Sequence, residues 1–230
     1  MATTDVTALC ASLTLADVDD DEVTIQLPLS PTSHDAEEEV YYAVGRLVTD
    51  KPIRLAFFHD TMAAVWRPVM RVNVKELSLR KCLFRFYDDR YISRIIAEGP
   101  YSYEQSLLIL RRVPPGSDPE SIPLTHTEFW VQVHLLPRGF QSEAVVSAIA
   151  SSLGTFIKTD ERNFDGSMRT FYRVRVALDV AKALKKQMKL KKDNCGWAVI
   201  DFKYKRMPTF CFFCGVLGHG DRLCHKYSIV

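Results

Sequence analysis

Lys81-Cys82-Leu83-Phe84-Arg85-Phe86-Tyr87 alternates along its whole length. Side chains of a β-strand point to opposite faces in turn, so Cys82, Phe84 and Phe86 share one face and Lys81, Leu83, Arg85 and Tyr87 the other. The first face is wholly apolar and belongs under a cover of helices. Working outward, Val72 to Leu77 is a second strand, joined to this one through Ser78, Leu79 and Arg80. Upstream, Pro52 opens a helix whose apolar positions Leu55, Phe58, Met62, Val65 and Trp66 fall on one face, and Pro68 ends it. Tyr41 to Val48 reads as a strand before that helix. Downstream, Asp88 or Asp89 caps a second helix running to Ala97, which buries Ile92, Ile95 and Ile96 and stops at Gly99-Pro100. Ser106 to Val113 is the last strand.

The order is βαββαβ, so residues 40–113 are expected to form an α+β, ferredoxin-like domain, an arrangement shared with RNA-recognition motifs. Many enzymes and regulatory domains share it too, so topology alone does not give function. The outward face of the third strand lacks the aromatic pair on which such motifs stack bases.

Residues 114–126 are a linker, with Pro114, Pro115, Pro119, Pro123 and Gly116. A second α+β module is expected over 127–206. Glu128 to Leu135 alternates Phe129, Val131, Val133 and Leu135 against Trp130, Gln132 and His134. Gln141 to Leu153 is a helix with Gly154 as its C-cap. Thr155 to Asp160 and Thr170 to Leu178 are strands, and Leu184 to Leu190 pairs with Trp197 to Tyr204 as a hairpin. A module of about 80 residues holds a core of its own only marginally, so packing against the first sheet is expected.

Charge divides the chain. Residues 1–45 hold no Lys or Arg but ten acidic residues, which leaves 30 basic against 18 acidic residues over 46–230. Residues 1–39, acidic and without an aromatic, read as a disordered tail. A basic body suits a polyanionic partner. No apolar run is long enough for a membrane span, and the N-terminus carries no secretory signal pattern. Cys10, Cys82 and Cys195 are scattered rather than paired, so an intracellular, reducing location, nuclear or cytoplasmic, is expected.

The other three cysteines stand in Cys211-Phe212-Phe213-Cys214-Gly215-Val216-Leu217-Gly218-His219-Gly220-Asp221-Arg222-Leu223-Cys224, a Cys-x2-Cys-x4-His-x4-Cys spacing. Three thiolates and one imidazole suit tetrahedral Zn²⁺ and leave no position for a catalytic water. One structural Zn²⁺ is expected on Cys211, Cys214, His219 and Cys224, residues 207–230 forming a CCHC zinc knuckle. His225 is an alternative fourth ligand, which the spacing disfavours. Zinc knuckles bind single-stranded nucleic acid by stacking a base on an aromatic or apolar platform. Phe212 is the expected platform, with Leu217, Leu223 and Arg222 beside it. Upstream, Lys185, Lys186, Lys189, Lys191, Lys192, Lys203, Lys205 and Arg206 form a basic strip able to follow phosphates.

Val44-Gly45-Arg46-Leu47, Trp66-Arg67-Pro68, Glu98-Gly99-Pro100, Phe129-Trp130-Val131-Gln132-Val133-His134 with Leu136-Pro137, Tyr172-Arg173-Val174-Arg175-Val176, and Tyr204-Lys205-Arg206-Met207-Pro208 occur in this order ahead of the knuckle. Together they resemble a plant family in which a domain of unknown function precedes a CX2CX4HX4C knuckle. That family is associated with retrotransposons, in particular the gag-like, nucleic-acid-binding first portion of LINE-type elements. The resemblance implies a retrotransposon-derived, RNA- or DNA-binding protein, in shortened, domesticated or partial form. Tyr101 departs from it, where the family often has Trp. The expected partner is single-stranded nucleic acid, with no membrane and no small-molecule substrate, and self-association is left open. The alternative is a protein–protein adaptor that uses the knuckle. An enzyme is not expected: His34, His59, His126 and His134 have no matching nucleophile or carboxylate motif, and no Gly-rich phosphate loop is present.

Overall fold

The computed structural model describes residues 39–49, 51–78, 80–191 and 196–226. The acidic tail expected over 1–39 lies outside them apart from residue 39, as do Lys192, Cys10 and Cys195. The protein is α+β, with two antiparallel five-stranded sheets, few helices and a C-terminal zinc knuckle.

The first sheet contains β1 (Tyr41–Val48), β2 (Asn73–Ser78), β3 (Lys81–Phe86), β4 (Tyr101–Tyr103) and β5 (Ser106–Arg112), in the order β2-β3-β1-β5-β4. Helices α1 (Leu55–Trp66) and α2 (Asp89–Glu98) interrupt it in sequence. The Asp88 carboxylate caps α2 by accepting from the Arg90 N–H at 2.8 Å. Cys82, Phe84 and Phe86 are buried against α1, where Trp66 meets Phe84 edge-on with ring centroids 5.3 Å apart. Phe58, Met62 and Trp66 are buried, but Val65 is 52% exposed. Its position lies at the rim of the apolar stripe, beyond the reach of the sheet.

The strand β4 was not expected. It pairs with β5 across Glu104 and Gln105, which both take positive φ (45° and 63°). A type I′ hairpin turn requires that conformation and usually announces it with Asn-Gly or Asp-Gly. Glu-Gln carries no such signal.

The second sheet contains β6 (His126–His134), β7 (Thr155–Thr159), β8 (Phe171–Asp179), β9 (Gln187–Lys191) and β10 (Trp197–Tyr204), in the order β7-β8-β6-β10-β9. Position for position, this is the strand order of the first sheet. The counterpart of α1 is α3 (Glu143–Leu153), whose N-cap Ser142 accepts from the Val145 N–H. No helix follows β8, where α2 would correspond. Residues 180–186 form a loop instead.

One apolar cluster spans both sheets. It joins Val44, Leu107 and Ile109 from the helix-free face of the first sheet to Phe129, Val131, Val133, Val174, Val176 and Ile200 of the second, with Val146, Ile149 and Ala150 of α3. Leu124 from the Pro-rich connection and Leu217 from the knuckle complete it. The connection is also held by hydrogen bonds, Arg46 Nη2 donating to Leu124 O at 2.8 Å and Lys81 Nζ to Glu120 O at 2.6 Å. The face that a second helix would cover is thus met by the first sheet and the knuckle.

Gly154 ends α3, but not as a left-handed cap: its φ is 178°. Glycine is required because a Cβ there would come within 3.0 Å of the Ala177 carbonyl oxygen on β8, which is held in the sheet. Gly154→Ala is expected to cost about 1 to 3 kcal/mol, the usual range for overpacking, measured by denaturant unfolding.

Candidate metal centre

The knuckle is a chain of tight turns held by its own backbone. Cys211 N–H donates to Val216 O at 3.0 Å, Gly215 N–H to Cys211 O at 2.9 Å, and Gly218 N–H to Thr209 O at 3.0 Å. Gly218 takes a φ of 96°, which other residues rarely adopt, and a Cβ on it would come within 2.7 Å of Val48 Cγ1. The second half turns through a short 3-10 segment, Asp221–Leu223, and the Asp221 carboxylate accepts from the Phe212 N–H at 2.7 Å. These turns bring the donor atoms of Cys211, Cys214, His219 and Cys224 within 4.8 Å of one another. His219 Nε2 lies 3.3 Å from Cys214 Sγ. A tetrahedral site with Zn–S bonds of about 2.3 Å has edges of about 3.8 Å. The donor set is therefore compatible with one zinc ion. Cys224, not the exposed His225, is the fourth donor gathered. Burial pushes the Cys211 thiol up to about 11, so a bare thiolate is disfavoured and a bound cation is what would hold it deprotonated.

Residues 178–226 match the zinc knuckle family. The match takes in the 180–186 loop and the β9–β10 hairpin as well as the four donors, and the structure shows why they form a unit. The Leu184 N–H donates to Gly215 O at 2.8 Å, and Ala183 lies against Gly215. Residues 35–121 match a domain of unknown function, DUF4283. A segment that matches DUF4283 is thus followed by one that matches the zinc knuckle. It is also similar to an uncharacterized protein of Arabidopsis thaliana, At4g02000, at 27% identity over 101 residues. That likeness covers 44% of this chain and 32% of the relative, so the chain spans about a third of the relative's length.

The residues expected to touch nucleic acid are not all on the surface. Phe212 is 84% exposed, held edge-on against Phe210 at 5.2 Å, and Arg222 and Leu223 are exposed beside it. Leu217 corrects the expectation: it is 3% exposed and belongs to the shared core. Its backbone pairs with Phe210, which turns the side chain away from the platform and into the protein. Lys186, Lys189, Lys191, Lys203 and Lys205 are exposed. Lys185 Nζ donates to Ser152 O at 2.9 Å, and Arg206 Nη1 to Glu98 O at 2.7 Å, so these two also tie elements together.

The pairing registers place Lys189, Lys191 and Lys203 on one face of the second sheet together with Trp130, His134, Phe171, Arg173 and Arg175. Sequence reasoning did not assign these last five residues to an interface. The usable signal was the alternation of Glu128–Leu135, continued in Phe171-Tyr172-Arg173-Val174-Arg175. Arg175 is buried, donating to Glu128 Oε2 at 2.5 Å and to the carbonyls of Ala97 and Ile96 at the end of α2. Burial and the neighbouring Lys203 ammonium hold the His134 imidazole below its ordinary pKa, and its Nε2 lies 3.2 Å from Gln132 Oε1. Among the described residues, no helix is long and apolar enough to cross a membrane.

Proposed function

We propose that the protein binds single-stranded RNA or DNA through a zinc-stabilised knuckle, without enzymatic activity, inside the cell and as a retrotransposon-derived protein. The observation that carries this reading is Phe212, an aromatic ring 84% exposed on a segment whose four donors leave a metal no open position. A closed site supports a structural ion, and an exposed ring on a rigid loop supports base stacking. The DUF4283–knuckle order fits the element-derived origin that the sequence resemblance implies.

The test is a titration of the full chain with labelled single-stranded RNA and DNA across a salt series. Phe212→Ala is expected to weaken binding by about 1 to 3 kcal/mol with zinc content unchanged and the salt slope nearly unchanged. Replacing Lys189, Lys191 and Lys203 by Gln is expected to weaken all sequences alike and to flatten the slope by roughly 0.7 per lost phosphate contact. Binding that is absent at low salt, or indifferent to both sets of changes, points to a protein–protein adaptor instead.

A further inference from the structure

The two sheets have the same strand order, but their helix-free faces meet opposite fates. In the first, Val44, Leu107 and Ile109 are buried in the shared core, and Arg46 is bonded to the Leu124 carbonyl. That face is spent on holding the molecule together. In the second, α3 and the shared core lie on the face of Phe129, Val131 and Val133, and the other face, among the described residues, meets only the C-terminal end of α2, at Arg175. This outer face carries Trp130 and His134 on β6 and Phe171 and Arg173 on β8, the two strands next to each other at its middle.

These side chains form two flat platforms. The Arg173 guanidinium lies over the Trp130 ring, 4.7 Å from its centroid, and bases stack on guanidinium planes as well as on aromatic rings. His134 and Phe171, directly opposite in register, tilt partly over one another with centroids 5.2 Å apart and planes inclined by 34°. Trp130 and His134 are four residues apart on one strand, about 13 Å. Around the platforms stand exposed cations: Lys158 from β7, Lys203 from β10, and Lys189 and Lys191 from β9. The acidic residues at this face are engaged, Glu128 with Arg175, Asp160 with Arg173 at 3.2 Å and Asp201 with the Gln187 amide at 2.9 Å. Trp197, 67% exposed, extends the face at its edge opposite Lys191. Beside Trp130, a cleft of about 360 Å³ is lined by Arg173, Arg175, Lys205 and Arg206 against the Gly99–Pro100 segment.

We propose that the outer face of the second sheet, centred on Trp130, Arg173, His134 and Phe171, is a second single-stranded nucleic-acid site, with bases stacked on β6 and β8 and phosphates followed by the flanking lysines. The site rests on the nucleic-acid reading of the knuckle and shares its lysine strip, but its stacking residues are different. Stacked aromatics on central strands give sequence-tolerant affinity, and the lysines give its salt dependence.

The test uses the full chain with zinc bound. Wild-type protein is cross-linked by ultraviolet light to a mixed-sequence RNA containing 4-thiouridine, and the attached peptides are mapped. Cross-links in residues 128–134 and 171–175 are expected besides those in the knuckle. In parallel, Trp130→Ala is expected to weaken RNA binding by about 5- to 150-fold, the loss of one stacked base, while zinc content stays unchanged. Trp130→Phe should recover most of that loss. Cross-links confined to residues 207–226 overturn the sheet site and leave the knuckle reading standing, and that mapping decides the matter even where Trp130→Ala does not fold. Wild-type protein that neither cross-links nor binds at low salt overturns both.

Discussion

Cys211→Ser and His219→Ala are each expected to abolish zinc binding at one ion per chain and to unfold the knuckle. The effect is large because so short a segment has little core of its own. Small zinc modules draw an apparent 10 to 16 kcal/mol, on that order, from the metal. Here the loss should also spread along contacts that the structure makes explicit. Leu217 leaves the shared core, Gly215 releases the Leu184 N–H, and the Thr209 N–H releases the Gln105 carbonyl in the β4–β5 turn. Amide exchange should therefore accelerate in three places: over 207–226, in the 180–186 loop, and around Leu217's neighbours in the core. Metal content by mass spectrometry of the native protein checks the first part, and exchange mapping the second. Full metal retention in both variants would sink the ligand assignment, and acceleration confined to 207–226 would sink the coupling.

Phe129→Ala is expected to destabilise the protein by about 3 to 5 kcal/mol. Phe129 is fully buried, and its cluster reaches both sheets, α3, the Pro-rich connection and the knuckle. A cavity there removes packing from all of them at once, and a loss of that size is a large share of the 5 to 15 kcal/mol typical of whole proteins. Since the helix-free face of the first sheet is covered only through this cluster, both sheets should unfold in one transition. Denaturant unfolding followed by tryptophan fluorescence, with Trp66 reporting on the first sheet and Trp130 on the second, checks it. Two separated transitions in the wild-type chain would show that the cores are independent.

Much of this architecture was legible in the residues. The alternation of Lys81–Tyr87 placed Cys82, Phe84 and Phe86 under the helices, because the strand period leaves a half-buried strand no other choice. Asp88 was legible as a cap, and the β9–β10 hairpin as a hairpin, from local chemistry alone. The four donors followed from spacing, since short gaps between Cys and His residues leave few other ways to close around a metal. What these features share is that their partners lie within a few residues along the chain.

The misses have the opposite character. Leu217 sits between two glycines in a loop, where nothing local distinguishes a base platform from a core residue. Its fate depends on Leu184 and on the first sheet, far away in sequence. Val65 obeys the helical period, yet it stays half exposed. Gly154 is the C-cap its place in the sequence suggested, yet its tighter constraint is the carbonyl of Ala177 on a distant strand. The same holds for the outer face of the second sheet. Trp130, His134, Phe171 and Arg173 are ordinary strand residues until the antiparallel register sets Gln132 opposite Arg173 and His134 opposite Phe171. By itself, the sequence determined the secondary-structure order apart from β4, the metal donors and which side chains share a strand face, all consequences of short-range periodicity and spacing. Only the tertiary structure decided which of two like sheets keeps an open face, because that depends on where apolar area from distant segments finds cover.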